Sequence, residues 1–524
     1  MNSNHLNITY YRPVWTCGRF NEEAEVAIYY NLIAGMSYYF ESYSAKVIGK
    51  ILETPKNGSL NLEDISQDLN ISMGSLIPFF QQLEQNGIVS SIEITDDVIA
   101  DYRHRVSEYH CKQEAQTERT IQEKLPYAVS NAEQAYTEKA GGITSVMFEL
   151  TYRCSEKCIH CYNEGATRND EEISTRGDRK ELTLDEFKQI IDDLCEQGLI
   201  KVCLTGGDPF SKSFAWELID YLYNKGIAFD IFTNGQRLVN EVQRLADYYP
   251  RLVGISIYSG IPEVHDYITR IKGSWERSMS VIRDLSALGV PMNLKCCVMR
   301  PNVKSYYLVG DIAKKYGAIP QYEISLTDSI EGDRCVSKYL RMTPEQLEIV
   351  LRDENVPLYV GKEAPNYGGQ KKLMDQNPCG AGGNSLCITP EGNVIPCCAF
   401  HTLFGNLREN RISEILVGSK ELMYWRKLTL NDYEECGRYD YCAYCNLCPG
   451  NNFIEHGTPL KASEVNCFVA KTRYALAKKM KQGYDPLHGK TLIERLAELP
   501  DYARVKIKRE QSKDYSDMRL MVGG

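Results

Sequence analysis

Six strand-like segments alternate with helical patterns between residues 141 and 345, and this alternation constrains the fold more than any other feature of the sequence. The segments are 146–150, 200–205, 228–232, 252–257, 291–297 and 320–325. The first helix between them begins with the capping box Thr183-x-x-Glu186 and carries apolar residues at helical spacing. Repeated strand–helix–strand units predict a parallel sheet with right-handed crossovers. Periodicity alone does not decide between an open doubly wound sheet and a partial barrel.

Three cysteines follow the first of these strands at the spacing Cys154-x3-Cys158-x2-Cys161. Folds of this class place their active sites at the carboxyl ends of the parallel strands. A structural zinc ion takes four protein ligands, whereas three thiolates on a cubane [4Fe-4S] cluster leave one iron open for a substrate or cofactor. Spacing and location favour the cluster. Zinc bound with His160, and cysteines grouped by coincidence, are the alternatives.

The segment CSEKCIHCY at 154–162 resembles the cluster motif of radical S-adenosylmethionine (radical SAM) enzymes. The resemblance implies a partial (β/α)6 barrel in which SAM chelates the open iron and yields a 5'-deoxyadenosyl radical. The glycine-rich segment of that family corresponds to TGGDP after the second strand. By resemblance, Gly206, Gly207 and Asp208 contact SAM, although the usual residue at position 208 of the motif is Glu.

Two more segments fit the same family. FTNG, at the end of the third strand, supplies Thr233 and Asn234, and the fourth strand ends at Ser256. By resemblance, Ser256 contacts the ribose of SAM and Arg270 contacts its carboxylate.

Nine of the nineteen cysteines fall between residues 379 and 467, in a segment that looks too rich in loops to be held by apolar burial. The spacing Cys379-x12-Gly392-x4-Cys397 resembles the first half of the SPASM extension of radical SAM enzymes. The resemblance implies two auxiliary [4Fe-4S] clusters, and the second half of the motif departs from the usual pattern. One division gives the first cluster Cys379, Cys387, Cys397 and Cys448, and the second cluster Cys436, Cys442, Cys445 and Cys467. A zinc ribbon built on Cys-x2-Cys pairs is the alternative.

The first hundred residues contain a strand hairpin followed by a helix, turn, helix and exit strand, which is a winged-helix pattern. Between residues 57 and 100 there is no Lys or Arg, while seven residues are acidic. A recognition helix without cations cannot hold phosphates, so a peptide-binding module and a structural cap remain. The unit resembles the RiPP recognition element, which binds the leader of a ribosomally synthesised precursor peptide by strand addition.

Charge and composition narrow the partners and the compartment. A net charge of -10 with pI near 5.5 speaks against nucleic acid and anionic lipid as partners. The sequence shows no secretory signal and no spanning apolar run, so we expect a cytoplasmic protein without a membrane partner. In that reducing compartment nineteen cysteines are not a disulfide framework.

The predicted fold class is α/β, a partial (β/α)6 barrel with an N-terminal winged-helix-like domain and a C-terminal cysteine-rich iron–sulfur domain. The predicted domains are a recognition-element-like peptide-binding domain at 1–105, a linker helix at 106–140, the radical SAM core at 141–345, a SPASM-like domain at 346–480 and a tail at 481–524.

The resemblance implies a radical SAM maturase that installs a cross-link, a cysteine thioether by preference, in a precursor peptide with a leader. A flavodoxin or ferredoxin would supply the electron, and an auxiliary cluster would take up the surplus electron or bind the substrate thiol. Alternatives on the same scaffold are a peptide epimerase, a carbon–carbon cross-linking enzyme and a sulfatase-type maturase. An epimerase would need a hydrogen donor such as Cys296, Cys297 or Cys335. A zinc-stabilised peptide-binding scaffold is the alternative outside enzymology.

Overall fold

A computed structural model describes residues 8–114, 130–162, 181–329, 336–361 and 373–504, without the side chains of 107–114. Within these ranges no helix combines the length and the apolar character needed to cross a bilayer. The candidate hydrogen donor Cys335 and the end of the predicted tail, from residue 505, lie outside the described residues.

The strands are numbered in chain order. They are β1 Thr9–Tyr11, β2 Thr16–Asn21, β3 Val26–Asn31, β4 Met36–Glu41, β5 Ser59–Asn61, β6 Ser145–Glu149, β7 Lys201–Thr205, β8 Ala228–Thr233, β9 Leu252–Ser256, β10 Met292–Cys297, β11 Ile319–Glu323, β12 Ser385–Ile388, β13 Asn393–Ile395 and β14 Gly405–Asn406.

The helices are numbered in the same way. The α-helices are α1 Ser42–Glu53, α2 Leu62–Leu69, α3 Met73–Gln85, α4 Asp96–Glu114, α5 Asn131–Ala140, α6 Leu184–Glu196, α7 Ala215–Asn224, α8 Val242–Ala246, α9 Pro262–Thr269, α10 Ser274–Ala287, α11 Leu308–Lys315, α12 Pro344–Val350, α13 Ile412–Gly418, α14 Lys420–Lys427, α15 Pro449–His456, α16 Glu464–Lys481 and α17 Leu492–Ala497. Single turns of 3-10 helix occur at Pro209–Ser211, Leu430–Asp432 and Asp440–Tyr444, and a π-helical turn at Val336–Leu340.

One nine-stranded sheet forms the centre of the molecule, in the order β11-β10-β9-β8-β7-β6-β12-β13-β14. Neighbours from β6 to β11 are parallel, and all six lie within two residues of the predicted strands. Strand β12 adds to β6 in parallel, with Cys387 opposite Met147, and β13 and β14 follow as antiparallel strands. The cysteine-rich region therefore extends the sheet of the partial barrel, and the predicted fold class is confirmed.

Helix α6 shows why the sequence pattern was informative. The Thr183 hydroxyl accepts from the Glu186 backbone N–H, and the Glu186 carboxylate accepts from the Thr183 backbone N–H at 2.8 Å. This reciprocal cap satisfies two backbone donors at the start of the helix. The apolar residues at helical spacing, from Phe187 to Leu194, are buried against the sheet.

The N-terminal region contains the predicted hairpin and helix pair, with two additions. Strand β2 joins the hairpin to give the antiparallel sheet β2-β3-β4, and helix α1 follows it. The expected exit strand is reduced to a single bridge between Tyr11 and Ser90. The chain turns there because the Ser90 hydroxyl donates to the Ile92 carbonyl and accepts from the Ile92 N–H.

The predicted linker is not a single helix. Helix α4 begins at Asp96, before the predicted boundary, and α5 is a separate helix that starts at Asn131. Ser130 and Glu133 form a capping box at the start of α5, which explains why a new helix begins there.

Candidate active site

The three-cysteine loop leaves β6 at the carboxyl end of the sheet and is held by the end of helix α9. The Lys157 N–H donates to the Thr269 carbonyl at 3.0 Å, and the Ile159 N–H donates to the Ile268 carbonyl at 2.9 Å. The last carbonyls of a helix have no partner inside the helix, so this loop satisfies two of them. The loop conformation is therefore fixed by the barrel and not only by a bound group.

The three thiols of this loop are neighbours. Burial, followed by the charges of Glu156, Cys161 and Cys154, holds the pKa of Cys158 well above its usual range. In the described part of the chain, no three His, Cys, Asp or Glu side chains converge on a point where one metal ion would sit. A cubane cluster does not require such convergence because its thiolates bind different irons. Three soft thiol donors in one loop fit a [4Fe-4S] cluster with one open iron.

Gly206 and Gly207 allow the loop after β7 to lie directly on the loop that leads to the cysteines. A Cβ atom at Gly206 would lie 2.4 Å from the Thr151 carbonyl oxygen, and one at Gly207 would lie 2.4 Å from that of Arg153. The Gly207 N–H donates to the Thr151 carbonyl at 2.7 Å. The close approach expected of these glycines is thus made to the cysteine loop, and their contact with SAM stays a prediction.

We expect Gly207→Ala to displace the cysteine loop. The added methyl group would meet two backbone carbonyl oxygens, those of Arg153 and Tyr152 at 2.4 and 2.6 Å, and backbone atoms cannot move aside cheaply. The expected cost is about 1–3 kcal/mol of unfolding free energy together with loss of iron. Iron content and melting temperature of anaerobically purified protein measure both, with Gly418→Ala, where nothing lies within 4 Å of the added atom and φ is not positive, as the control.

Asp208 joins the second and third loops of the site. Its side chain is fully buried, and its two oxygens accept from the Phe210 N–H, the Thr233 hydroxyl and the Asn234 N–H at 3.1, 2.6 and 3.1 Å. Burial raises the pKa of Asp208, and these hydrogen bonds oppose the rise. The structure therefore gives Asp208 a positioning role, and its direct contact with SAM stays a prediction.

Asn234 completes the connection back to the first loop. Its side-chain amide lies 3.3 Å from the Cys154 sulfur and donates to the Ser155 hydroxyl at 3.3 Å. The segments after β6, β7 and β8 thus form one hydrogen-bonded unit around the first cysteine.

The remaining predicted SAM contacts lie at the same end of the barrel. Ser256 ends β9 and is hydrogen-bonded to Tyr258. Arg270 is exposed and adopts a left-handed conformation, φ 59°, directly after the Thr269 carbonyl that holds the cysteine loop. Both assignments to SAM remain predictions.

The first predicted set of auxiliary ligands is brought together from three parts of the chain. Burial, followed by Cys398, Cys448 and Cys379, keeps the pKa of Cys397 high. Cys387, on β12, faces Cys397 from the sheet. Residues 69 positions apart, Cys379 and Cys448, therefore share one site with the two central cysteines.

The second predicted set lines one cavity of about 350 Å³, a volume that includes its part open to solvent. The cysteines of this cavity are Cys436, Cys442, Cys445 and Cys467. Cys442 lies in the 3-10 turn Asp440–Tyr444, and Cys445 directly follows that turn. Cys467 lies on helix α16. Four thiols around an enclosed space fit a four-thiolate cluster, and the division of ligands stays a prediction.

The interior of the barrel holds polar residues that the sequence analysis missed. Burial, then the charge of Glu391, raises the pKa of Glu149 to about 8, and Tyr162 lies beside it. Cys398 lies next to Glu149 and is hydrogen-bonded to Tyr162. Lys295, whose pKa burial lowers to about 8, lies with its Nζ 3.1 Å from the centre of the Phe232 ring. The available signal was a charged residue within an otherwise apolar strand, as in SVMFEL at 145–150.

Two of the three proposed hydrogen donors are described. Cys296 is buried, and its thiol donates to the Tyr258 carbonyl at 3.7 Å. Cys297 is half-buried at the end of β10.

Comparison with known families gives two matches along the chain. The model of the radical SAM superfamily matches residues 148–303, and that of the SPASM iron–sulfur cluster-binding domain matches residues 379–449. The second description favours iron–sulfur clusters over the zinc ribbon and the zinc scaffold.

Curated relatives and a solved structure agree with these matches. The antilisterial bacteriocin subtilosin biosynthesis protein AlbA of Bacillus subtilis is 27% identical over 307 residues, which are 58% of this chain and 66% of that protein. An AdoMet-dependent heme synthase of Methanosarcina barkeri is 27% identical over 58% of this chain and 90% of its own length. Native anSMEcpe with bound AdoMet has the same fold with a TM-score of 0.50 at 15% identity, covering 65% of this chain and 98% of that one.

The AlbA match spans just under two thirds of that relative. The three-thiol loop, the hydrogen-bonded segments around it and the family matches lead to one conclusion: the chain carries a radical SAM domain and a SPASM iron–sulfur cluster-binding domain, whose cofactors are SAM and [4Fe-4S] clusters.

Proposed function

We propose that this enzyme is a maturase that installs a cross-link in a ribosomally synthesised precursor peptide. Among the possible cross-links we favour a cysteine thioether. The observation that carries the proposal is an edge strand of an antiparallel sheet, β4, which pairs with one neighbour among the described strands, in a module that lacks cations on its recognition helix. The relative named for biosynthesis of the bacteriocin subtilosin supports a peptide substrate.

Strand β4 offers that edge. Among the described strands it pairs only with β3, and no described strand lies on its other side. Helix α5 begins next to β4, where the Ser130 and Ser37 hydroxyls are 2.7 Å apart. The Ser42 N–H donates to the Glu25 carbonyl at 2.8 Å, directly after β4. Because antiparallel residues alternate, the N–H groups of Ser37, Tyr39 and Glu41 point away from β3. A leader peptide in extended form would accept hydrogen bonds from them.

The groove beside this edge is aromatic. Phe40 of β4 and Phe79 of α3 contact edge to face, with ring centres 6.3 Å apart. Helix α3 contains no charged residue in its first turn and no basic residue in its last turn. An apolar wall next to backbone donors favours an extended peptide with apolar side chains over a nucleic-acid strand.

The catalytic end of the barrel contributes positioning. Bound SAM and the reduced [4Fe-4S] cluster supply a 5'-deoxyadenosyl radical, which removes hydrogen from an unactivated carbon. Asp208 and Asn234 hold the surrounding loops in one arrangement. The barrel interior, with Glu149 and Lys295, offers polar groups for the reacting segment. A carrier such as a flavodoxin or ferredoxin would deliver the electron.

The experiment that tests the proposal is anaerobic co-expression with each short peptide encoded beside the gene, followed by intact mass before and after thiol alkylation. Loss of two hydrogens and one alkylatable thiol per event supports a thioether. The same mass loss with every thiol still reactive points to a carbon–carbon cross-link or an oxidation. Deuterium incorporation without a change in bonding would support an epimerase instead.

We expect Tyr39→Pro to weaken leader binding about tenfold while uncoupled release of 5'-deoxyadenosine is retained. Proline removes one outward N–H, and such a bond contributes about 1 kcal/mol, to which the ring adds a steric clash with the added strand. Fluorescence anisotropy of a labelled leader peptide measures the affinity. Tyr39→Ala, which keeps the N–H but loses the same aromatic packing and the hydroxyl bond to Glu41, is the matched control and should bind normally. If the Tyr39→Pro protein bound the leader peptide as tightly as the parent protein does, β4 would not be the leader site.

A further inference from the structure

The N-terminal module is fixed to the barrel through hydrogen bonds of β2 and of the segment just before it. The Gly18 N–H donates to the Gly226 carbonyl at 3.3 Å, and the Arg19 guanidinium donates to the Leu199 carbonyl at 3.3 Å and to that of Cys195. In the other direction, the Tyr223 hydroxyl donates to the Val14 carbonyl at 3.3 Å. These hydrogen bonds hold the module in one position on the barrel.

An apolar cluster is shared between the two parts. Trp15 and Ile28 of the module are buried in one cluster with Ile200, Ala228 and Tyr249 of the barrel. Ile200 precedes β7, Ala228 begins β8, and Tyr249 lies just before β9. All of these barrel positions are at the amino ends of the parallel strands. The module therefore packs on the end of the barrel opposite the cysteine loop.

Buried charges close this amino end of the barrel. The Tyr30 hydroxyl donates to the Glu133 carboxylate at 2.9 Å, and Lys201 pairs with the same carboxylate at 2.8 Å. Beside them Arg251 pairs with Asp230, which projects from β8. Glu133 is 2% exposed and Asp230 6% exposed, so in the described part of the chain these paired side chains fill the amino end of the barrel. A peptide bound at β4 reaches the active site only around the outside of the barrel.

The two sites are separated by at least the height of the barrel. Its strands have five or six residues, which at about 3.3 Å per residue span roughly 17–20 Å. The sheet β2-β3-β4 packs on the amino end through Ile28 of β3, and Tyr39 of β4 packs against the same cluster, so the strand length alone sets the minimum distance. A fully extended chain covers at most about 3.3–3.6 Å per residue.

We propose that the substrate is a peptide in which at least about five residues separate the segment bound to β4 from the reacting residue. This inference rests on the proposed function and adds a spacing rule to it. A shorter spacer cannot reach from one end of the barrel to the other while the leader stays bound. A longer spacer is tolerated, because each doubling of a flexible connection lowers the effective concentration only about threefold.

The test uses the precursor peptide identified by co-expression, made synthetically with three, six, twelve and twenty-four residues of Gly-Ser between leader and reacting segment. We expect the three-residue peptide to bind with unchanged affinity and to be modified at least tenfold more slowly than the twelve-residue peptide. The step from twelve to twenty-four residues should cost about threefold or less. Full-rate modification of the three-residue peptide would overturn the spacing rule.

The Tyr39→Pro enzyme separates this inference from the proposed function. With leader binding weakened, the rates for the four spacers should become similar, because the reacting segment then arrives without a tether. If the Tyr39→Pro enzyme still modified the three-residue peptide more slowly than the longer ones, the spacer itself would obstruct the reaction. The spacing rule would then be wrong. The affinity measurement on the same variant, in contrast, tests only whether the leader binds at β4.

Discussion

The Cys161→Ala protein is expected to release no 5'-deoxyadenosine from SAM, with or without peptide. Its loop would keep the backbone bonds to α9, because Lys157 and Ile159 donate to helix carbonyls independently of any thiol. The cluster needs three thiolates, because its fourth iron must stay open for SAM. The variant would keep only two of them, and two thiolates do not hold a cubane cluster in place. The same result is expected for Cys154→Ala and Cys158→Ala.

Two measurements distinguish loss of the cluster from loss of the fold. Iron should fall by about four atoms per chain, while the far-ultraviolet circular dichroism spectrum should stay that of the parent protein. Cys195→Ala is the matched control, since this half-buried thiol lies on α6 outside the cysteine loop, and Arg19, which neighbours the thiol, keeps its bond to the Cys195 backbone carbonyl. The assignment of the radical cluster to this loop fails if Cys161→Ala protein releases 5'-deoxyadenosine at the parental rate.

The barrel strands were predictable because each is a buried apolar run between turn residues, as parallel strands are. The run 228–232 corresponds to Ala228–Thr233, with Gly226 just before it. The reduced exit strand was not predictable, because the turn at Ser90 depends on a side chain that bonds locally instead of continuing a ladder.

The sequence pattern did not predict the contacts between residues that lie far apart in the chain. The pattern identified Asp208 and Thr233 separately, but it gave no sign that one accepts a hydrogen bond from the other. It also placed Glu149 within a strand without showing that the side chain turns into the barrel beside Tyr162. Such relations depend on how strands curve around a common interior, which no single segment encodes.

The end of the barrel on which the module packs has a practical consequence. Deletion of residues 1–105 would uncover the apolar cluster around Ile200 and Tyr249 and leave Glu133 without Tyr30. A truncated protein could therefore lose activity through instability. For this reason the point variant at Tyr39 is the sharper test of leader binding.

Glu133→Ala is expected to destabilise the holoenzyme by about 3–5 kcal/mol, because it leaves the Lys201 ammonium buried without its partner. The Lys201 side chain is only 13% exposed, so water cannot replace the lost carboxylate well. Anaerobic urea unfolding followed by tryptophan fluorescence reports the change, since Trp15 is buried in the same interface. Asp193→Ala, which breaks the surface pair with Arg411, should change stability little.

The double variant Glu133→Leu with Lys201→Met separates charge from packing. Replacing both partners of a buried pair by apolar groups of similar size is often neutral, so most of the lost stability should return. If the double variant is as unstable as Glu133→Ala, packing around α5 and not the unpaired ammonium accounts for the loss.

The pH dependence of the difference in unfolding free energy between the parent protein and Glu133→Ala gives a second check. Burial alone would raise the pKa of Glu133, but Lys201 and Arg251 outweigh it, and the pKa is lowered. A carboxyl group whose pKa is depressed in the folded state stabilises the protein above its unfolded pKa, about 4.3, and loses that contribution as pH falls through the folded value. The gap between the parent and Glu133→Ala should therefore be full at pH 7 and shrink in acid below about pH 4.3. A gap that stays constant into acid would show that the carboxylate charge is not what holds the module to the barrel.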